Sequence, residues 1–413
     1  MKRLLWLIAC VVPLAAFVSL PSSAQQAGAL TNITWKKTVL DRAFRSEGVA
    51  VADVNKDGKM DILNGECWYE APDWKRHEIC PTKDHAKGQN NVYSNSFACW
   101  AEDINGDGYP DLIVIGFPGA PCHWFENPQG KPGHWKQHEI WHSACNETPL
   151  YADLLGTGKR VLIMGWQPKG QGNMGQMAYF TPDPKDPTKP WIMHPISEES
   201  TKAKEIPGTQ KFSHGLGVGD VNGDKRMDVI CTGGWWEQPA KADGKTPWKF
   251  HPAQLGDACA DMYALDLNGD GKADILSSSA HRFGIWAYHQ RPADEGKSPG
   301  FVKQELFREL VSETHAMVLV DVNGDGLNDF VTGKRFWSHG RSEQGADWPA
   351  MLYWFEASKK KDGQITFTPR VIDTDSGVGT QFAVQDVNGD GLPDVVVSNK
   401  RGTFLFEQVR PKK

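Results

Sequence analysis

A nine-residue phrase of acids and asparagine recurs along the chain with the spacing of a cation-binding loop. Five copies fit the pattern DxNxDGxxD: Asp53, Asn55, Asp57 and Asp61; Asp103, Asn105, Asp107 and Asp111; Asp266, Asn268, Asp270 and Asp274; Asp321, Asn323, Asp325 and Asp329; and Asp386, Asn388, Asp390 and Asp394. A sixth, Asp220, Asn222, Asp224 and Asp228, keeps every oxygen ligand but has Lys225 where the others have glycine. The seventh starts at Asp153, keeps only that first acid and ends on Val161. Side-chain oxygens at positions one, three, five and nine, with a backbone carbonyl at seven, can wrap one Ca²⁺. Glycine at position six permits the turn through positive φ. Structural Ca²⁺ is therefore expected in up to six loops, and none at Asp153.

An EF-hand would need flanking helices and a glutamate at position twelve. Here the flanks are short β-type runs, such as Gly48-Val-Ala-Val-Ala before the first loop and Ile62-Leu63 after it, so each loop is a hairpin tip. A second phrase repeats out of phase with the first, for example at Trp35, at Trp74 to His77, at Trp135 to His138 and at Trp248 to His251. It alternates large apolar and polar residues as a half-buried outer strand should, so its Trp and His are packing and edge residues. There are seven copies of each phrase at spacings of about fifty residues. The first outer-strand phrase precedes the first loop, and no such phrase follows Thr403-Phe-Leu-Phe-Glu407. The N-terminal strand must then complete the last blade. The expected fold is all-β, a seven-bladed β-propeller of four-stranded blades with calcium-binding hairpin loops, closed by its N-terminal strand.

That fold predicts where chemistry other than loop binding would sit. Counting back six residues from the first Asp of each loop gives one inner-strand position per blade: Glu47, Phe97, Glu147, His214, Ala260, His315 and Thr380. The ends of the following strands add His281, Lys334, Arg335 and His339, with Trp235 from blade four and Lys400 from blade seven. These converge on the disc face opposite the loops. A lone histidine there would be a hydrogen-bonded core or rim residue; several polar groups in register at one channel end make a site. His, Arg, Lys, Glu and Trp together suit stacking a sugar on an aromatic while charged groups handle its hydroxyls, carbonyl or carboxylate. Trp235, Asn95 and Gln381 are the candidate substrate contacts.

Residues 1–24 have the form of a signal peptide, with Lys2 and Arg3 before an apolar stretch and Ala24 at the expected cleavage point. Residues 25–413 form one propeller domain, and secretion to the periplasm or beyond is expected. No later segment has the apolar length of a membrane span. Losing Lys2 and Arg3 takes the formal charge from −6 to −8, which gives no electrostatic reason to expect nucleic acid as a partner. Seven cysteines follow residue 24, an odd number for an oxidising compartment; Cys67 with Cys80 is the one suggested bridge. The oligomeric state is left open.

The loop phrases resemble those of the FG-GAP/VCBS propellers over nearly all of the chain after residue 24. The stretches running from His214 to Asn222, Ala280 to Trp286, Glu313 to Ala316 and Thr332 to His339 are similar to those of secreted bacterial propellers akin to the propeller domain of fungal aldos-2-ulose dehydratase/isomerase. That resemblance implies dehydration of a keto-sugar such as 1,5-anhydro-D-fructose or a 3-keto-glycoside by β-elimination, with a bound divalent metal. The chain has no room for the fungal enzyme's cupin domains, so an isomerase step is not carried over. On this reading His214 and His315 are metal ligands or the base, Arg335 and Lys334 stabilise the oxyanion, and His281 or His339 is the acid. Zn²⁺ or a similar ion held by His with Glu147 would polarise the carbonyl. Two other readings stay open: a polysaccharide lyase on uronates, and a non-catalytic glycan-binding or adhesion propeller. In each the partner is a carbohydrate.

Because the loops gather acids that repel one another without a cation, chelation is expected to lower the melting temperature. An unchanged melting temperature in EDTA would count against calcium in the loops.

Overall fold

The structure is a computed structural model that describes residues 33–85, 92–169, 174–201, 204–292 and 298–411; the expected signal peptide lies outside them. Seven four-stranded antiparallel sheets are arranged in chain order. Blade one comprises Ala50–Ala52, Asp61–Leu63, Cys67–Glu70 and Lys75–Glu78. The inner strands of blades two to seven are Ala98–Glu102, Leu150–Ala152, Leu216–Gly219, Tyr263–Leu265, Met317–Val320 and Ala383–Gln385. All regular structure among the described residues is β-strand. The outer strand of blade seven is Thr34–Asp41, which pairs antiparallel with Gly402–Val409. Closure by the N-terminal strand is thus observed.

Burial explains the strand types. Second strands such as Asp111–Ile115 and Asp394–Asn399 are buried throughout, because both of their faces meet a neighbouring blade. Outer strands such as Lys136–Trp141 alternate exposed and buried positions. The apolar core is correspondingly divided into clusters between adjacent blades, one joining blades two and three around Trp124 and Phe180, another joining blades five and six around Phe330 and Phe355. Outer-strand histidines stack on third-strand rings: His77 on Trp68 (4.3 Å), His138 on Trp124 (4.4 Å) and His251 on Trp235 (4.1 Å). Each also bonds a third-strand carboxylate, at Glu70, Glu126 and Glu237. The packing role expected for these histidines is the one seen.

The loops join first to second strands on one face. Their position-nine acids, Asp61, Asp111, Asp228, Asp274, Asp329 and Asp394, are fully buried. In each, one carboxylate oxygen accepts the N–H of the loop's second residue and the other accepts an N–H from the end of the third strand; in blade one these are Val54 (2.9 Å) and Ala71 (2.8 Å). Four third-strand ends then reach the preceding blade, with side-chain amides of Asn127, Gln238, Gln290 and Gln408 donating to the carbonyls of Val54, Leu154, Val221 and Val322.

Lys225 has φ 68°, close to the 81–87° of Gly271, Gly58 and Gly326 at the same position, and its N–H reaches Asp220 as theirs reach the first loop acid. Loop four therefore keeps the shape of the others with a residue that fits it poorly. The suggested Cys67–Cys80 bridge is absent, and all seven cysteines are free. The reason is geometric: Cys67 packs in the cluster shared with blades six and seven, whereas Cys80 lies against the one shared with blade two.

Lys225→Gly is expected to stabilise the protein by about 1 kcal/mol in urea unfolding, since a side chain at positive φ is strained; a loss would show that the lysine makes a compensating contact. A pH effect follows from the position-nine acids. Burial raises Asp61, Asp329 and Asp394 from 3.8 to about 6, and Asp111 and Asp228 to about 7. A raised folded-state value favours the folded protein below the unfolded value, and that advantage is lost as pH rises through the folded one. Chelator-treated protein should accordingly melt at lower temperature as pH goes from about 4 to about 7, and added calcium should flatten the trend.

Candidate active site at the channel mouth

The residues six places ahead of each loop gather on the face away from the loops. Each stands one to three residues before its inner strand rather than on it, in the turn that brings the chain from rim to axis. Two of them meet one cation. Arg335, just past the second strand of blade six and 1% exposed, donates through Nε to Glu47 Oε1 (2.9 Å) and through Nη1 to Glu147 Oε2 (3.0 Å). Glu47 belongs to blade one and Glu147 to blade three. A side chain that touches blades so far apart must lie over the axis. Its guanidinium is flanked by Tyr93 (5.6 Å) and Phe97 (5.3 Å).

Four histidines pack beside this pair. The ring of His214 lies 4.6 Å from His281 and 5.2 Å from His315, and His281 lies 4.7 Å from His339. His214 donates from Nδ1 to the carbonyl of Phe212 (2.8 Å), and His315 from Nδ1 to that of Glu313 (3.1 Å). Phe212 and Glu313 each stand two residues ahead of their histidine and adopt positive φ, 66° and 56°. That left-handed turn points the carbonyl back at the ring. The bonds fix the tautomer and leave both Nε2 atoms buried without a hydrogen-bond partner. Glu147 Oε2 comes within 3.5 Å of His214 Nε2, too far for a strong bond.

Buried lone pairs without a donor are costly, and a bound cation or ligand relieves them. His214, His281 and His315 offer ring nitrogens within 4.8 Å of one another, and His281, His339 and Glu343 form a second such group. Both groups can hold a metal ion. Glu343 Oε1 accepts from Nδ1 of His281 (2.6 Å) and of His339 (2.7 Å). Burial raises the Glu343 carboxyl, but the two imidazoles outweigh it and hold it well below the usual range. Burial also raises Glu147, but the adjacent His214 and Arg335 outweigh it and bring it down to about 2. For His315, burial and the nearby Arg335 both favour the neutral ring, the form that ligates metal.

The two disc faces thus carry different chemistry, repeated on one and unique on the other. Models of FG-GAP-like repeats match residues 220–277 and 321–397, and an FG-GAP repeat model matches 95–131. The chain carries FG-GAP repeats. Among solved structures, an Agrocybe aegerita lectin described as recognising non-reducing terminal N-acetylglucosamine is 14% identical, with a TM-score of 0.43 over 92% of this chain and 86% of the lectin. A Thermus thermophilus protein described as a putative oxidoreductase (glucose dehydrogenase) is 8% identical, with a TM-score of 0.41 over 91% of this chain and 100% of its own. The V. cholerae biofilm matrix protein Bap1 is 11% identical, with a TM-score of 0.32 over 90% of this chain and 81% of that one. No curated protein sequence matches the chain.

Several expected members of this FG-GAP propeller's site lie elsewhere or are differently engaged. Lys334 is 1% exposed, and its ammonium donates to Ser312 Oγ (2.9 Å), the Gly345 carbonyl (2.6 Å) and Glu313 Oε2. All three of its protons are used, so it has none for an oxyanion. Arg335 is likewise committed to its two carboxylates. Trp235 is not at the mouth; it lies on the third strand of blade four, stacked on His251 and packed with Ile230, Leu255 and Trp286. Gln381 is a pin between blades, accepting from Val49 N (2.9 Å) and Cys99 N (3.2 Å) and donating to Val49 O (3.0 Å). Asn95 is exposed, two residues from Tyr93. A groove of about 550 Å³ between blades one and two, lined by Glu70, His77 and Lys131 among others, includes none of the four histidines at the mouth.

Sequence reasoning missed Glu313, Ser338, Glu343 and Tyr93. Ser338 Oγ donates to Glu313 Oε1 (2.7 Å) and bonds Glu343 Oε2 (3.0 Å), and the Tyr93 hydroxyl reaches the Ser338 carbonyl (3.0 Å). Lys334, Glu313 and Ser338 thereby hold the segment that presents His339 and Glu343. Spacing of His339 and Glu343 by four residues was the available signal. Lys400 donates to the Trp337 carbonyl (2.7 Å) beside the Tyr93 ring (4.7 Å), and burial lowers it to about 8.

Lys334→Met, which strands the buried Glu313 charge, is expected to cost about 3–5 kcal/mol of stability, and Lys334→Met with Glu313→Leu to recover most of it. Chemical denaturation of the two variants measures this; equal losses would show that the pair is not electrostatically coupled.

Proposed function

We propose that the protein is a secreted or periplasmic carbohydrate lyase that dehydrates a keto-sugar by β-elimination, with its chemistry at the histidine cluster. The observation that carries this reading is the pair of buried, tautomer-fixed Nε2 atoms of His214 and His315 beside His281, with a His339–Glu343 pair at the outer edge. In elimination the C–H bond next to the carbonyl breaks, its electrons form the new C=C bond, and the β-oxygen departs after gaining a proton, as water from 1,5-anhydro-D-fructose or as the alcohol of the glycosidic bond from a 3-keto-glycoside. The site needs a base, an electrophile for the enolate oxygen and an acid.

The donor set fits a divalent ion such as Zn²⁺, with His214, His281 and His315 as its holders. Bound there, such an ion would act as a Lewis acid on the substrate carbonyl. His339, oriented through Nδ1 by Glu343, keeps Nε2 for proton exchange with the ligand. Glu147, kept ionised by His214 and Arg335, supplies negative charge next to the ion held at His214. Burial of His315 and Arg335 keeps water from the inner end. The six complete loops on the other face are assigned structural Ca²⁺, as is common for these repeats. No helix of the described residues is long and apolar enough to cross a membrane.

The test is incubation with 1,5-anhydro-D-fructose, 3-keto-glycosides and polyuronates, following ultraviolet absorbance from a conjugated enone or an unsaturated uronate. His315→Ala is expected to lower turnover about 100-fold or more. Undiminished turnover in this variant would remove the histidines from the reaction. Absorbance from polyuronates alone would make the protein a polysaccharide lyase, and binding without turnover a glycan-binding propeller.

A further inference from the structure

Phe212 combines a strained backbone with an exposed aromatic ring, and the two facts have separate explanations. Its positive φ aims its carbonyl at His214, as that of Glu313 does for His315. Glycine would meet that need without steric cost. A bulky residue at such a position points to a use for the side chain. At Glu313 the use is visible, because its carboxylate holds Lys334 and Ser338. Phe212 holds nothing comparable. It is 40% exposed, with ring contacts to Phe117 (5.4 Å) and the Lys211 ammonium (4.9 Å).

The ring is also the outer end of a continuous aromatic strip. Phe97 lies against the Arg335 guanidinium at the axis, Phe117 lies 5.6 Å from Phe97 and 5.5 Å from Tyr93, and Phe212 follows Phe117. The strip leads from the buried charges to solvent, past the turn that carries His214. A ligand whose reacting ring sits at the histidines would cover the strip only if it extends beyond that ring. Pyranose rings present an apolar face of C–H groups that packs on aromatic faces, and an aromatic left in water has such a surface ready.

Resting on the elimination reading above, we propose that Phe212, backed by Phe117, is an outer subsite that stacks the second ring of a glycoside. The substrate is then a keto-sugar unit still glycosidically linked to another sugar, not a free monosaccharide. The linked ring lies on Phe212 while the oxidised ring reaches the histidines.

The experiment compares kcat/KM for a keto-disaccharide with that for the methyl glycoside of the same keto-sugar. The ratio of the two is the readout, because any disturbance of His214 through the Phe212 backbone cancels in it. Phe212→Ala is expected to lower the ratio about tenfold, and Phe212→Leu, which keeps an apolar side chain without the ring face, to lower it severalfold. An unchanged ratio in Phe212→Ala, or a Phe212→Leu variant equal to the wild type, overturns the subsite. Should the wild type eliminate neither compound, the elimination reading falls and calorimetric titration with the parent disaccharide decides the subsite. A fivefold or greater loss of affinity in Phe212→Ala supports it, and equal affinities overturn it.

Discussion

A carboxylate without access to water holds each complete blade together. At position nine of six loops, one aspartate accepts an N–H from the loop on one oxygen and an N–H from the end of the third strand on the other. Three strands are thereby fixed to a single side chain. Because side-chain amides of four blades also reach the loop carbonyls of the preceding blade, the same device sets the angle between neighbours. A buried carboxylate that lost these donors would be strongly penalised, so the arrangement is specified and not merely favoured. Blade three, with Val161 at that position, does without the carboxylate but still receives the amide of Gln238 at Leu154.

With one face clamped by repetition, the other can depart from it. Arg335 stands at the axis between Glu47 and Glu147, from blades one, three and six. No pair of adjacent blades contains this arrangement. Burial alone would make each of these charges unstable, and only their mutual neutralisation makes them tolerable. The histidines beside them come from blades four, five and six. Single-copy residues on a repeated scaffold therefore form the candidate site.

The fold was readable because its signals are periodic. Seven copies of the loop phrase and seven of the outer strand gave blade number, loop face and closure. The same period located Glu147, His214 and His315, since a fixed offset from each loop reaches equivalent turns. It failed where the chain leaves the repeat. Glu343 lies on a long connection within blade six that has no counterpart elsewhere, and Tyr93 on one before blade two. Trp235 was misplaced for a different reason: adjacent residues of a third strand face opposite inter-blade interfaces, and neither faces the mouth. Lys334 was misread because charge in a sequence says nothing of whether its protons are already taken.

Closure by Thr34–Asp41 has a temporal meaning as well as a geometric one. Among the described strands, the first to be synthesised pairs with the last, Gly402–Val409. Until both are present the ring stays open, and blades one, three and six have no common axis on which to meet. The candidate site would then be absent from every partial product and arise in one step with the seam.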